Sequence, residues 1–147
     1  MTPPKKLTQL RVLDKTLSGF DGVKKAPVPP KGWIRQIRDA LAMEGRQLAK
    51  RMGVTGGRVT RMEKDEVAGA VTLRTMQHAA EAMGCEFVYA IVPATGDRLE
   101  DLVRKRAMDL AQEKLKGQSL SKSDKERALR DMVEDLIREL PRDLWEP

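Results

Sequence analysis

Three features of this sequence predict a mainly helical fold. Aliphatic residues recur at three- and four-residue spacing along most of the chain. Charged residues make up 34% of it and aromatic residues only 3%, which suits helices packed on an aliphatic and methionine core. Only one stretch, residues 86–93, has the β-branched and aromatic density of a strand. The chain has 147 residues, enough for one domain with a substantial core plus appendages.

Residues 45–62 organise the rest. They read as two short helices hinged at Gly53, with Leu48, Ala49, Met52, Val54, Val59 and Met62 facing inward. Ala49 must be small because the second helix crosses over it. Gly53 follows a helix end, a position that favours positive φ. Thr55 can cap the second helix through its hydroxyl. A small residue, a turn glycine and six apolar sites in register form the helix-turn-helix pattern, whose second helix enters the DNA major groove. Any tight helical hairpin would share the glycine and the stripes, but not the whole register.

The other elements follow in order. Residues 5–18 can form an amphipathic helix through Leu7, Leu10, Leu13 or Asp14, and Leu17, ended by Gly19 and Gly22. Ala26–Gly32 is a stiff, proline-rich connector. Together, 1–31 reads as a basic arm that swaps onto a partner subunit, lies along DNA, or is a flexible tail. Trp33–Leu41 opens the core with Ile34, Ile37 and Leu41 inward. After a loop at 65–70, Thr72 caps a helix to Met83 that buries Leu73, Met76, Ala79, Ala80 and Met83. The strand at 86–93 has apolar residues on both faces, and a lone strand cannot satisfy its ladder. Two subunits pairing antiparallel through Phe87, Val88, Tyr89 and Ile91 would solve this; a helix laid over the strand is the alternative. Residues 98–116 form a helix along Leu99, Leu102, Val103, Arg106 and Leu110. A last helix, capped by Ser123 or Asp124, runs to Leu140 with a wide apolar stripe, and Leu144-Trp145 hangs beyond Pro141. The expected domains are therefore 1–31, the arm and connector; 32–96, the helix-turn-helix domain with its strand; and 97–147, a helical pair for dimerisation or partner binding.

The net charge of +6 is unevenly placed. Residues 1–31 carry a balance of +5, residues 32–97 only +1, and residues 98–147 zero. Within 43–64, six bases stand against two acids. Positive charge thus collects on the arm and the helix-turn-helix, the footprint of a phosphate-binding surface. No run of about 18 apolar residues predicts a membrane span, and the N-terminus does not read as a signal peptide. A single cysteine, Cys85, permits no internal disulfide and fits a reducing cytoplasm. One histidine, His78, and no nucleophile–base set, phosphate loop or metal-ligand cluster point away from catalysis, metal and cofactors.

The segments Pro30–Leu41, Arg46–Val54, Ala79–Pro93 and Leu140–Trp145 resemble the family called mobile mystery protein A, a branch of the Xre-type helix-turn-helix regulators. The resemblance implies a lambda-repressor-like helical bundle and the antitoxin and repressor half of a pair encoded with a Fic-domain toxin. It is also similar in layout to HipB-type antitoxins, in which a strand completes the dimer. Two departures matter. Glu44 stands where the family has Ser or Thr, and Gly56 where Xre proteins often carry a base-reading Gln. The nearest match to a Fic-inhibitory motif, Ala40-x-x-x-Glu44-Gly45, lacks its hydroxyl, so inhibition by that route is not expected.

With Gly56 and Gly57 bare, base reading falls to Arg58 and Arg61, with Thr60 a lesser candidate. An arginine grips O6 and N7 of guanine bidentately. Arg46, Gln47, Thr55 and Lys64 suit phosphates, as do the backbones of Gly56 and Gly57. The expected function is a homodimeric, cytoplasmic, sequence-specific repressor on an inverted-repeat operator. The alternative is an interaction module that binds a toxin through its C-terminal helices, with DNA secondary.

Overall fold

The computed structural model describes residues 5–95 and 98–147. It is mainly helical, and among the described residues no strand forms. Among the described residues eight α-helices follow in order: α1 (Lys5–Leu17), α2 (Asp21–Lys24), α3 (Trp33–Ala40), α4 (Gly45–Met52), α5 (Gly56–Ala68), α6 (Leu73–Ala82), α7 (Leu99–Leu115) and α8 (Lys122–Glu139). Short 3-10 turns cover Ser18–Phe20 and Arg142–Trp145. The chain forms two compact units: Ala26–Tyr89, and the chain up to Lys25 together with Ala90–Pro147.

The central unit packs α3–α6 around Ile34, Leu48, Ala49, Met52, Val59, Met62, Met76, Ala79 and Met83. Helical periodicity selects these positions together with three that the core does not take up: Ala80, half-buried and outside it, and two exposed leucines. Leu41 lies one residue past the end of α3 and is exposed, and Leu73 opens α6 on its solvent side. Helix α5 is longer than expected, continuing to Ala68 where the composition of 65–70 reads as a loop.

Its acids explain the extra turn. Glu63 and Glu66 lie on the same face as Val59 and Met62, so both carboxylates face α3. Glu63 forms a buried bidentate pair with Arg38, at 2.7 Å from Nε and 3.2 Å from Nη2. Arg38 Nη1 also donates to the Met43 carbonyl at 2.9 Å, tying down the α3–α4 turn, which passes through Ala42 at φ 55. Arg35 reaches Glu63 at 3.6 Å and bonds Asp39 at 3.1 Å; the Asp39 hydrogen bond and charge raise its pKa above the ordinary arginine value. Glu66 accepts the Trp33 and Ile34 N–H groups at 2.6 and 2.9 Å, capping α3 from 33 residues away. Gly32 makes room for it: at φ 85, a Cβ here would stand 2.8 Å from the Glu66 carboxyl carbon.

The other unit joins α1 to the α7–α8 pair. Leu7, Val103, Ala107, Ala111, Val133, Ile137 and Leu144 form its core. Ala107 and Ala111 are completely buried. Of the side expected from Leu99, Leu102, Val103, Arg106 and Leu110 only Val103 is buried, and these two alanines join it because a small side chain lets α8 approach closely. The arm therefore does not stand alone: α1 packs within its own chain. Asp14, rather than Leu13, turns inward. Its carboxylate accepts the Leu99 and Glu100 N–H groups at 2.6 and 3.1 Å, capping α7. The C-terminal turn does not hang free either. Leu144 is fully buried, and Arg106 donates to the Leu144 and Glu146 carbonyls at 2.5 Å each. The last helix starts earlier than expected, with Ser121 accepting from the Asp124 N–H at 3.2 Å. No helix among the described residues is long and apolar enough to cross a membrane.

Glu63→Gln strands a buried guanidinium and should cost about 3–5 kcal/mol in urea denaturation, whereas Arg38→Met combined with Glu63→Leu should recover most of that loss. Asp14→Ala should cost about 0.5–2 kcal/mol, with faster amide exchange at Leu99 and Glu100.

Candidate nucleic-acid interface

The stretch that organises the sequence folds as α4, the turn Gly53–Thr55, and α5. Leu48, Ala49 and Met52 bury one side of α4. Gly53 adopts φ 71, ψ 32, and the next residue, Val54, bonds back to the Ala49 carbonyl at 2.9 Å. This is the paired closure that a left-handed glycine allows at a helix end. Thr55 then caps α5, its hydroxyl accepting the Arg58 N–H at 3.2 Å. Buried Val59 and Met62 set α5 on the core in the rotation that the Arg38–Glu63 pair specifies.

That rotation sorts the charges of α5. With Glu63 and Glu66 turned toward α3, Arg58, Arg61 and Lys64 are left exposed on the remaining faces. Arg58 and Lys64 make no side-chain hydrogen bond or ion pair within the described chain, and Arg61 has only a long contact to Asp65 at 3.9 Å. The exposed surface of α5 is thus more basic than its composition suggests, although Asp65 remains partly exposed on it. Helical spacing carries this signal: Glu63 lies four residues after Val59, and Glu66 four after Met62.

Gly56 and Gly57 open α5 with nothing around them, since a Cβ at either would meet no atom within 4 Å. Packing therefore does not require these glycines, and each lowers helix stability by about 1 kcal/mol relative to alanine. Thr60 spends its hydroxyl proton on the Gly56 carbonyl at 3.3 Å, leaving its oxygen lone pairs and methyl for a ligand. At the start of α4, Gln47 Oε1 accepts the Glu44 N–H at 2.8 Å, leaving its amide NH2 for another partner. Glu44 thus receives the reciprocal half of a capping box without a hydroxyl of its own. Arg46 is exposed but paired with Glu44 at 2.6 Å, so it must exchange that partner to hold a phosphate. Arg51 serves structure, its Nε donating to the Ala82 carbonyl at the end of α6 at 2.5 Å. Lys50 and Arg74 are exposed cations on the same unit.

The expected strand is not formed within the chain. Residues 85–93 have no ladder partner among the described residues. Phe87 packs against the core of the central unit, and Tyr89 stacks on it with ring centroids 5.6 Å apart. Val88 and Ile91 are 63% and 90% exposed. Cys85 is exposed and free, and His78 is exposed on α6. Among the described residues no group of three or more His, Cys, Asp or Glu could hold a metal ion. No protein-family model, curated protein or solved structure matches the chain.

Proposed function

We propose that this protein is a sequence-specific DNA-binding repressor that acts in the cytoplasm as a homodimer. The observation that carries the reading is the sorting of charge on α5, with Glu63 and Glu66 turned toward α3 and Arg58, Arg61 and Lys64 left to solvent. An arginine-bearing helix behind a capped three-residue turn suits major-groove reading. In this reading α4 and α5 are the helix-turn-helix, Arg58 and Arg61 read bases, and Thr60 assists. Arg46, Gln47, Thr55, Lys64 and the backbones of Gly56 and Gly57 hold phosphates. The two glycines support it further, because they weaken the helix where a nearby backbone would gain from their absent side chains.

The apolar segment at 86–93 supplies the dimer, pairing antiparallel with its copy through Val88, Tyr89 and Ile91 while Phe87 anchors it. Two half-sites then lie about 34 Å apart or a multiple of that spacing. The resemblance to mobile mystery protein A adds the biological setting: an autoregulating antitoxin whose partner is a Fic-domain toxin.

Fluorescence anisotropy on DNA from the protein's own promoter tests the base readers. Arg58→Ala and Arg61→Ala should each lose about 1–3 kcal/mol on the operator and far less on random DNA. Arg46→Ala should weaken both alike and lower the salt slope by about 1. Equal losses on both DNAs for all three variants would reject the assignment. Gly56→Ala and Gly57→Ala should each raise stability by about 1 kcal/mol while weakening DNA binding; unchanged affinity removes the close-approach role. In sedimentation equilibrium at micromolar concentration the native chain should be a dimer and Ile91→Asp a monomer. A monomeric native chain would exclude the pairing.

A further inference from the structure

An open apolar groove of about 400 Å³ lies in the unit built by α1, α7 and the C-terminal turn. Leu10 and Leu13 of α1, Leu102 and Val103 of α7, and Leu140 and Trp145 at the C-terminal turn line it. Leu13 and Trp145 remain 49% and 59% exposed, so the groove offers large apolar side chains that its own unit does not cover. The geometry points to this groove as a docking site for an amphipathic helix of another protein, with acidic residues beside its apolar stripe.

The form of the occupant follows from the groove's walls. They come from helices and one 3-10 turn, whose carbonyls and N–H groups are largely paired internally, so no free backbone edge runs along the groove. An extended peptide laid there would bury its own backbone groups without partners, at a cost that a helix avoids. The apolar space matches a few leucine-sized side chains at i, i+3 or i+4, and i+7.

Charge selects the flank. The lining residue with a charge is Lys6, whose ammonium sits beside the Leu140 carbonyl at 3.3 Å. The single acid of α1, Asp14, is buried as the cap of α7 and faces away from solvent. The charge that α1 presents at the groove is therefore positive.

A second copy of this chain does not meet the description. Its exposed large apolar residues within helices fall singly, apart from the adjacent pair Val12 and Leu13, and none forms a three- or four-spaced stripe among the described residues. Its exposed extended segment at 88–91 cannot satisfy its backbone in a helix-lined groove.

A displayed library of helical 16-residue peptides, selected on the immobilised full chain, tests the proposal. Enriched peptides should carry an apolar stripe at helical spacing with flanking Asp or Glu, and should bind in solution with a blue shift of Trp145 emission in a Trp33→Phe background. Leu13→Glu and Trp145→Ala, both changes at exposed positions, should each weaken that binding at least tenfold while leaving DNA binding through α5 unchanged. Three outcomes would overturn the proposal: no enrichment over an unselected library, enrichment of basic or non-amphipathic peptides, or binders indifferent to both substitutions. Conversion of the native chain from dimer to monomer by Leu13→Glu alone would also overturn it, since the groove's occupant would then be a second copy.

Discussion

The buried pair between Arg38 and Glu63 is the constraint on which the central unit depends. It is costly to take two charges out of water, and the cost is offset only when the geometry is bidentate and the remaining donors find acceptors. Here both conditions are met, because Arg38 gives its third contact to the Met43 carbonyl. One guanidinium thus fixes the rotation of α5 against α3 and closes the strained turn into α4. An apolar contact could supply comparable burial, but it would not specify which way α5 faces. Directional bonds do, and that direction decides which charges of α5 meet solvent.

A second device recurs in both units. Helices α3 and α7 begin after Gly32 and Arg98, neither of which has an oxygen-bearing side chain to cap the first turn. In each case a carboxylate from a distant helix takes the two free N–H groups: Glu66 for α3 and Asp14 for α7. An anion at a helix start is favoured by the helix dipole as well as by the hydrogen bonds. Each cap also joins two elements that are far apart in sequence, so local helix formation and tertiary packing become one event.

Periodicity made much of this architecture legible. The two helices around Gly53, the core positions from Ile34 to Met83 and the apolar stripe of α8 follow from residue spacing alone. What the spacing of apolar residues alone passes over is which polar residues share their face. Arg38, Glu63 and Glu66 each sit at an inward position, and a reading that sorts residues into apolar core and charged surface sends them outward; for Asp14 the spacing leaves the choice with Leu13 open. The same habit overlooks Ala107 and Ala111, whose small size is the reason they are buried. Asp65, Glu66 and Gly69 give 65–70 the composition of a loop, whereas Glu66 draws the helix on to Ala68 by bonding α3. At the candidate site, Arg58, Arg61 and Lys64 are identifiable from the sequence, while the removal of Glu63 from that surface shows only when its spacing from Val59 is counted as well. The segment at 86–93 has strand composition without a strand, because composition describes one edge and a ladder needs two.

The path of the chain through its two units has a bearing on how it is made. The central unit is a single continuous run, Ala26–Tyr89, whereas the other is closed by α1 from one side of that run and by α7, α8 and the C-terminal turn from the other. During synthesis the continuous unit can reach its native packing as soon as it clears the ribosome, since domains fold as units in the order they emerge. Helix α1 appears earlier but must wait, with Leu7 and Asp14 unsatisfied, until the residues that receive them have been translated. For that interval the nascent chain holds a finished core beside an unclaimed sticky helix, the period in which chaperones or a neighbouring nascent chain can engage it.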